Sequence, residues 1–268
     1  MMITVPEFKK MKSEGKKITM VTCYDASFAK VLAQSEIDML LVGDSSAMVM
    51  HGMDSTIHAD ADLIAPHVAA VARGCRQNGK ETKFIVADMP FLSTRLGLNK
   101  AVEMAGQFLK AGAHAIKIEG LKGNQEIIHH LVESGIPVMG HLGLTPQFVN
   151  AFGGMKVQAK TAEEQDVLFQ EALAFEKLGA FSLVLECIPA AIATKISQAL
   201  TIPTIGIGAG VDCDGQVLVL QDLLGFNPDF KPKFLRRYMN GYEAFQSAFA
   251  QFSKDVKSGN YPSKDESY

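Results

Sequence analysis

The sequence has no tryptophan, and its four cysteines, Cys23, Cys75, Cys187 and Cys213, contain no C-x-x-C pair. That spacing excludes a zinc ribbon or a redox dithiol and reads as reduced thiols of a cytoplasmic protein. Long apolar runs are also missing: nothing approaches the ~20 residues of a membrane span. The opening stretch, MMITVPEFKKMKSEGKK, has neither the apolar core of a signal peptide nor an Arg/Ser-rich transit pattern. Neither sign of charge dominates. A net charge of −3 argues against nucleic acid as a partner, because neutralising phosphates takes clustered Lys and Arg. No Pro/Gly/Ser-rich linker divides the chain.

What is present is ordinary globular material. Of 268 residues, 47% are hydrophobic and 21% charged. A chain of this length buries roughly three quarters of its unfolded surface. Short apolar runs bounded by Gly, Pro and acids alternate with amphipathic stretches. The strand-like runs lie at 17–25, 39–44, 82–88, 115–120, 136–143, 181–189, 202–210 and, most weakly, 216–222. Runs of this kind suit parallel strands covered on both faces. Helical spacing appears at 27–36, 60–75, 99–112, 124–135 and 190–200, with Asp25 as an N-cap and Gly112 as a C-terminal stop. One or two helices are expected near the end, before a polar tail, NYPSKDESY. Eight strands alternating with helices predict an α/β fold, a (β/α)8 TIM barrel forming a single domain over 1–268, with a large doubly wound sheet as the alternative. The long connection 144–165 has the length of a functional lid.

Charge enters at the ends of the apolar runs. Met39-Leu40-Leu41-Val42 leads straight into Gly43-Asp44-Ser45-Ser46, and Asp88, Glu119 and Glu186 end three further strands. In a barrel all the strands' C-terminal ends share one face, the face that carries the active site. Four carboxylates gathered there would raise one another's pKa unless a cation intervened. Mg²⁺ takes oxygen ligands, few of them from protein, and two or three of these carboxylates with the hydroxyls of Ser45 and Ser46 suit it. Lys117 and Glu119 are two apart on one strand and point to the same side. Lys117 thus offers a cation for an anionic substrate or an enolate. His141 ends the fifth strand and faces the same space. The alternatives are plain ones: a lone acid after a strand is commonly a helix cap, and His141 is as readily structural as a substrate contact. Cys187, His129 and His130 read as structural or solvated, and the glycines of GIGAG (206–210) as tight packing of a strand end. His51 and His58, in the loop after the second strand, are left open.

The motifs TCYDASFAK, LLVGDSSAMVMHG, VADMPF, IKIEG, PVMGHLGLTPQ, FGGMKVQ, LVLECIP and IGIGAG followed by CDGQVLV together resemble the ketopantoate hydroxymethyltransferase family. The most specific are GHLGLTPQ and FGGMKVQ, and the resemblance spans nearly the whole chain. It implies a Mg²⁺-binding (β/α)8 barrel that moves a hydroxymethyl group from 5,10-methylenetetrahydrofolate to 3-methyl-2-oxobutanoate, giving 2-dehydropantoate for pantothenate biosynthesis. By motif, Asp44, Asp88 and Glu119 are the metal-associated acids. Asp44, Ser45, Asp88, Lys117 and His141 meet the oxo acid, and Glu186 is the proton acceptor. A cytoplasmic homo-oligomer, a decamer as in bacterial members, is implied too. The chain departs from the family pattern at Ser46 and Ala47, where GDSLGM is expected, at Ala159 in place of the glycine of KVQG, and in its tail. A Mg²⁺-dependent 2-oxo acid aldolase or lyase without folate is the alternative. A Schiff-base aldolase using Lys117 and a non-catalytic barrel are more distant ones.

Overall fold

The computed structural model describes residues 2–77 and 79–268. The chain divides into two compact units, one ending at Val219 and the other beginning at Leu220. The first holds a closed barrel of parallel strands: β1 (Ile18–Thr22), β2 (Met39–Val42), β3 (Phe84–Asp88), β4 (Ala115–Glu119), β5 (Val138–Gly143), β6 (Ser182–Glu186), β7 (Thr204–Ile207) and β8 (Gly215–Leu218). Each strand pairs with its sequence neighbours, and β8 closes on β1. The helices are α1 (Val5–Ser13), α2 (Ala26–Ala33), α3 (Ala61–Gly74), α4 (Leu98–Ala111), α5 (Gln125–Glu133), α6 (Ala162–Lys177) and α7 (Ala190–Ala199).

The continuous apolar strands follow from burial on both faces. Along β2, Met39 and Leu41 belong to the barrel interior, while Leu40 and Val42 belong to the core shared with the surrounding helices. The same alternation places Phe84 and Val86 of β3, Ala115 of β4, Met139 of β5 and Val184 of β6 inside. A strand repeats every two residues, so the inward row of each strand continues into its polar end. Val86 is followed inward by Asp88, Ala115 by Lys117 and Glu119, Met139 by His141, and Val184 by Glu186.

The other end of the barrel is closed by α1. Phe8 is fully buried and meets Phe84 edge-on at 5.3 Å. Lys12 donates to Asp214 Oδ2 and to the Ser197 carbonyl, each at 2.7 Å. The expected N-cap Asp25 accepts from the backbone N–H groups of Ser27 and Phe28.

Three details differ from the sequence pattern. Between β7 and β8 residues 208–214 form a helix-free turn, so the strict alternation stops there. The expected loop 144–165 ends early, because α6 starts at Ala162 behind a Thr161/Glu164 capping box. Its buried residues, Leu168, Ala172 and Phe175, are spaced among charged ones and give a weak apolar stripe. The segment as far as Phe152 is not wholly irregular either, with one-turn helices at Pro146–Phe148 and Val149–Phe152.

In the second unit the principal helix is α8 (Gly241–Ser258). Residues 231–240 are not helical, so of the expected C-terminal run only its latter part forms a helix. Phe226 packs edge-on against Phe245 at 5.1 Å. Phe249 and Phe252 remain exposed, at 63% and 58%.

Candidate active site

The barrel's carboxyl end brings together every acid that the strand ends suggested. Asp44, Asp88, Glu119, Lys117 and His141 are all at most 5% exposed. They form a connected chain. The Lys117 ammonium lies 3.0 Å from Asp88 Oδ1 and 3.5 Å from Glu119 Oε1. His141 Nδ1 is 3.2 Å from Glu119 Oε1, and its Nε2 is 3.2 Å from Glu186 Oε2. Glu186 therefore joins the cluster through His141.

Asp44 lies just past β2, where its N–H donates to Asp88 Oδ2 at 3.0 Å. Gly43 permits that approach: a Cβ there would stand 3.2 Å from the same oxygen and 3.0 Å from Ser45 Oγ. Ser45 Oγ is paired with the Tyr24 hydroxyl at 2.7 Å. At the opposite rim, Gly143 has φ +91, and a Cβ would come within 2.2 Å of the Glu186 carbonyl oxygen.

Gln147 was not among the expected site residues, although it belongs to GHLGLTPQ. Its side-chain amide donates to Asp44 Oδ2 at 2.8 Å and to the Met89 carbonyl at 2.9 Å, and its backbone N–H donates to Glu119 Oε2 at 3.0 Å. One residue of the long β5–α6 connection thus fixes two of the acids. A neutral amide in a loop carries no charge signal, so only the fold reveals it. Tyr24, within TCYD, is the other unforeseen member.

The electrostatics follow from three carboxylates buried beside one ammonium and one imidazole. Burial, then Asp88 and Glu119, push the Asp44 carboxyl well above its usual range, against the pull of Lys117 and the Gln147 amide. Burial also raises Asp88, with Lys117 holding it back. For Glu119, burial is outweighed by Lys117, His141 and the Gln147 N–H, and the net shift is downward. Burial would lower Lys117, yet Asp88, Glu119 and Asp44 outweigh it and keep it a cation. Burial and Lys117 press His141 down, but Glu119 and Glu186 hold it up at about 9. The two carboxylates thus favour the charged ring, whose Nδ1 lies 3.2 Å from both Glu119 Oε1 and the Lys117 ammonium.

Two buried polar atoms of this mouth have no aligned hydrogen-bond partner, Asp88 Oδ1 and His141 Nε2. Each has an ionic neighbour but spare directional capacity, which suits a bound polar molecule. Among the described residues, no three His, Cys, Asp or Glu side chains gather in metal-ligating geometry. The donor set nevertheless fits a hard cation held by two carboxylates and completed by substrate and water, as Mg²⁺ prefers. Asp44, Asp88 and Glu119 are the carboxylates that could supply it, and together they outnumber the one ammonium of Lys117. Both oxygens of Glu119 are already engaged.

The remaining sequence candidates fall outside this cluster. Burial and the neighbouring Glu186 push the Cys187 thiol up to about 11, so it is no thiolate nucleophile. His58 pairs with Asp54 at 2.9 Å, and His51 Nε2 meets His67 Nε2 at 3.0 Å. His129 and His130 are exposed on α5. In GIGAG, a Cβ on Gly206 would press on Cys213 and Gln216, and one on Gly210 on Ala190, so close packing explains these glycines.

A parallel (β/α)8 barrel with a buried acid–lysine–histidine cluster at its carboxyl end defines a TIM-barrel enzyme. Residues 2–264 match the family model described as ketopantoate hydroxymethyltransferase, and the chain belongs to that family. Curated relatives named 3-methyl-2-oxobutanoate hydroxymethyltransferase include those of Bdellovibrio bacteriovorus, 51% identical with 100% of both chains covered, and Thermotoga neapolitana, 51% identical over 98% of this chain and 95% of that one. That of Francisella tularensis subsp. novicida is 49% identical over 100% of this chain and 99% of the other. The chain is accordingly a transferase. Among solved structures, a phosphonopyruvate hydrolase complexed with oxalate and Mg²⁺ shares the fold at TM-score 0.61 and 14% identity, covering 98% of this chain and 93% of that one. An oxaloacetate acetylhydrolase does so at TM-score 0.58 and 11% identity, over 97% and 98%.

Proposed function

We propose that the chain transfers a hydroxymethyl group from 5,10-methylenetetrahydrofolate to C3 of 3-methyl-2-oxobutanoate, forming 2-dehydropantoate for pantothenate biosynthesis. The observation that carries this reading is the continuous Asp88–Lys117–Glu119–His141–Glu186 cluster in a chain of this family. Asp44 and Asp88 would hold Mg²⁺, with Glu119 beside them. The metal, when bound, supplies polarisation of the 2-oxo group and so acidifies the C3 proton. The Ser45 hydroxyl and the Lys117 ammonium are the donors for the substrate's carboxylate and for negative charge developing on its oxo oxygen. Glu186 accepts the C3 proton as general base. His141 Nε2 stands 3.2 Å from Glu186 as an electrostatic neighbour, while Glu119 holds the other ring nitrogen. Gln147 keeps Asp44 and Glu119 in place. The enolate carbon then forms the new C–C bond to the methylene carbon of the folate; the bonds from that carbon to N5 and N10 break, one water supplies the hydroxyl oxygen, and tetrahydrofolate leaves with both nitrogens protonated.

The exposed Phe249 and Phe252, with Phe245 on the same helix, support a homo-oligomer, since an apolar stripe of this kind is usually covered. The decamer implied by the family and a cytoplasmic location are part of the same proposal. No helix among the described residues is long and apolar enough to cross a membrane.

Deuterium exchange at C3 of 3-methyl-2-oxobutanoate, with and without Mg²⁺, tests the division of labour. Glu186→Gln is expected to bind the oxo acid within several-fold of the parent while exchange falls by roughly 10²–10⁴, the usual worth of a general base. Asp88→Asn should lose binding and exchange together. Exchange at the parent rate in Glu186→Gln would place the base elsewhere, with His141 the next candidate. Product formation that does not require methylenetetrahydrofolate would turn the reading to an aldolase.

A further inference from the structure

Beside the mouth, outside the strand wall of β4 and β5, lies a cavity of about 510 Å³. That is within the roughly 300–1,000 Å³ of small-molecule sites. The β5–α6 connection and the first turns of α6 enclose it with Phe148, Phe152, Gln158, Val167 and Leu168. Its inner edge is backbone next to the reacting groups. Gly120 follows Glu119, and Gly143 is paired in register with Glu186. The Gln158 N–H donates to the carbonyl of Cys187, so the enclosing loop is tied one residue beyond the proposed base.

Three carboxylates border this space, and they differ in burial and in what holds them. Both backbone N–H groups at the α6 N-terminus, Lys160 and Thr161, donate to Glu164. Glu163 is engaged by its own backbone and Thr161. Glu171 is different. Its side chain is 19% exposed, and its ionic partner is the ammonium of Lys122, 3.8 Å away and itself 82% exposed. Burial raises the Glu171 carboxyl above its ordinary range, and Lys122 only partly offsets this. A half-buried carboxylate in an apolar, aromatic-lined cavity calls for a flat ligand with a donor edge. The ligand must face the aromatic rings and present two parallel N–H groups to the acid.

We infer that this cavity is the pterin pocket of the one-carbon donor, with Glu171 accepting the 2-amino and N3–H donors of the reduced pterin and Phe148 and Phe152 covering its ring. This assignment rests on the folate-dependent reading above and adds to it the residues that recognise the co-substrate. The chemistry fits in direction as well as in shape. In a reduced folate the one-carbon unit is carried at N5 and N10, the end of the pterin opposite its aminopyrimidine edge. With that edge at Glu171, N5 is turned toward Gly143 and thus toward Glu186 and the enolate. Glu171 binds and orients; it exchanges no proton with the oxo acid.

The test measures binding of 6-methyltetrahydropterin and of tetrahydrofolate to the intact enzyme and to Glu171→Gln and Phe148→Leu, by calorimetry under anaerobic conditions. Binding of 3-methyl-2-oxobutanoate checks that the mouth is intact. Glu171→Gln is expected to weaken both pterin probes by about 10–100-fold, the worth of hydrogen bonds to a charged acceptor. p-Aminobenzoylglutamate, which lacks the pterin edge, should bind parent and variant alike. Phe148→Leu, which leaves the acid in place, should weaken the pterins by about 3–10-fold through lost aromatic contact. Parent-like pterin affinity in Glu171→Gln overturns the assignment and leaves the folate reading standing. Loss of oxo-acid binding together with pterin binding in both variants also overturns it, because the residues would then be supporting the mouth. A parent enzyme that binds the oxo acid and exchanges its C3 proton, but binds no reduced folate and needs none for turnover, removes the underlying reading itself.

Discussion

Replacing Lys117 by methionine would remove one of the two cationic groups in the cluster at nearly constant volume. The ammonium is 4% exposed and lies 3.0 Å from Asp88, 3.5 Å from Glu119 and 3.2 Å from His141 Nδ1. Without it Asp88 keeps the Asp44 N–H, and Glu119 keeps the Gln147 N–H and His141, but Asp44, Asp88 and Glu119 face only one positive charge. Breaking a buried pair by deleting one partner costs about 3–5 kcal/mol, because the other charge is left uncompensated. For a chain of this size that is a fall in Tm of about 6–20 °C. The pH dependence carries the sharper signature. Asp44 and Asp88 already titrate above their ordinary range, and losing Lys117 raises them further and brings Glu119 up as well. A carboxyl whose folded pKa exceeds its unfolded value binds protons preferentially in the folded state, so the folded state gains as pH falls. The deficit of Lys117→Met should therefore be largest at pH 8 and shrink toward pH 5. Thermal and urea melts of chelated enzyme at both pH values measure this. Melting within 1 °C of the parent at pH 8, or a deficit that stays constant to pH 5, would show that the ammonium does not balance these acids.

Two further outcomes follow from the same geometry. One of the seven imidazoles, that of His141, should titrate at about 9 in an NMR titration of chelated enzyme, and Glu119→Gln should bring it down. Because this folded pKa lies above the ordinary 6.5, the associated stabilisation is complete below pH 6.5 and fades as pH rises through 9; no imidazole titrating above 8 would refute the assignment. At the other end of the barrel, Phe8→Ala should cost about 3–5 kcal/mol by emptying the plug against Phe84, while the affinity for 3-methyl-2-oxobutanoate stays unchanged; a loss below 1 kcal/mol would mean that α1 does not close the barrel.

The strands were legible because burial on both faces leaves a mark that needs no partner to be read. MLLV and FIVAD are unbroken apolar runs that stop at an acid, and period-two alternation then says which side that acid takes. Asp88, Lys117, Glu119, His141 and Glu186 could thus be placed on one inner face from local pattern and the sharing of one barrel end. Helices with a dense apolar stripe, such as α3 and α5, were legible for the same reason. The weak stripe of α6 was not, nor was the N-terminal α1, whose value lies in one residue, Phe8, docked under a strand far along the chain. The sequence by itself determined the periodicity, the strand ends and the chemical types present there, because these are set by neighbours in the chain. Tertiary structure decided the rest. It made Glu186 a neighbour of His141, raised the imidazole's pKa by facing it with Glu119 and Glu186, and brought a neutral Gln147 from the β5–α6 connection onto Asp44, 103 residues away. It left Glu171 half-buried in a cavity between a loop and a helix. The physical reason is that hydrogen bonds and charge–charge energies depend on distance in space, and burial multiplies them by removing water. Neither quantity exists until the barrel has closed.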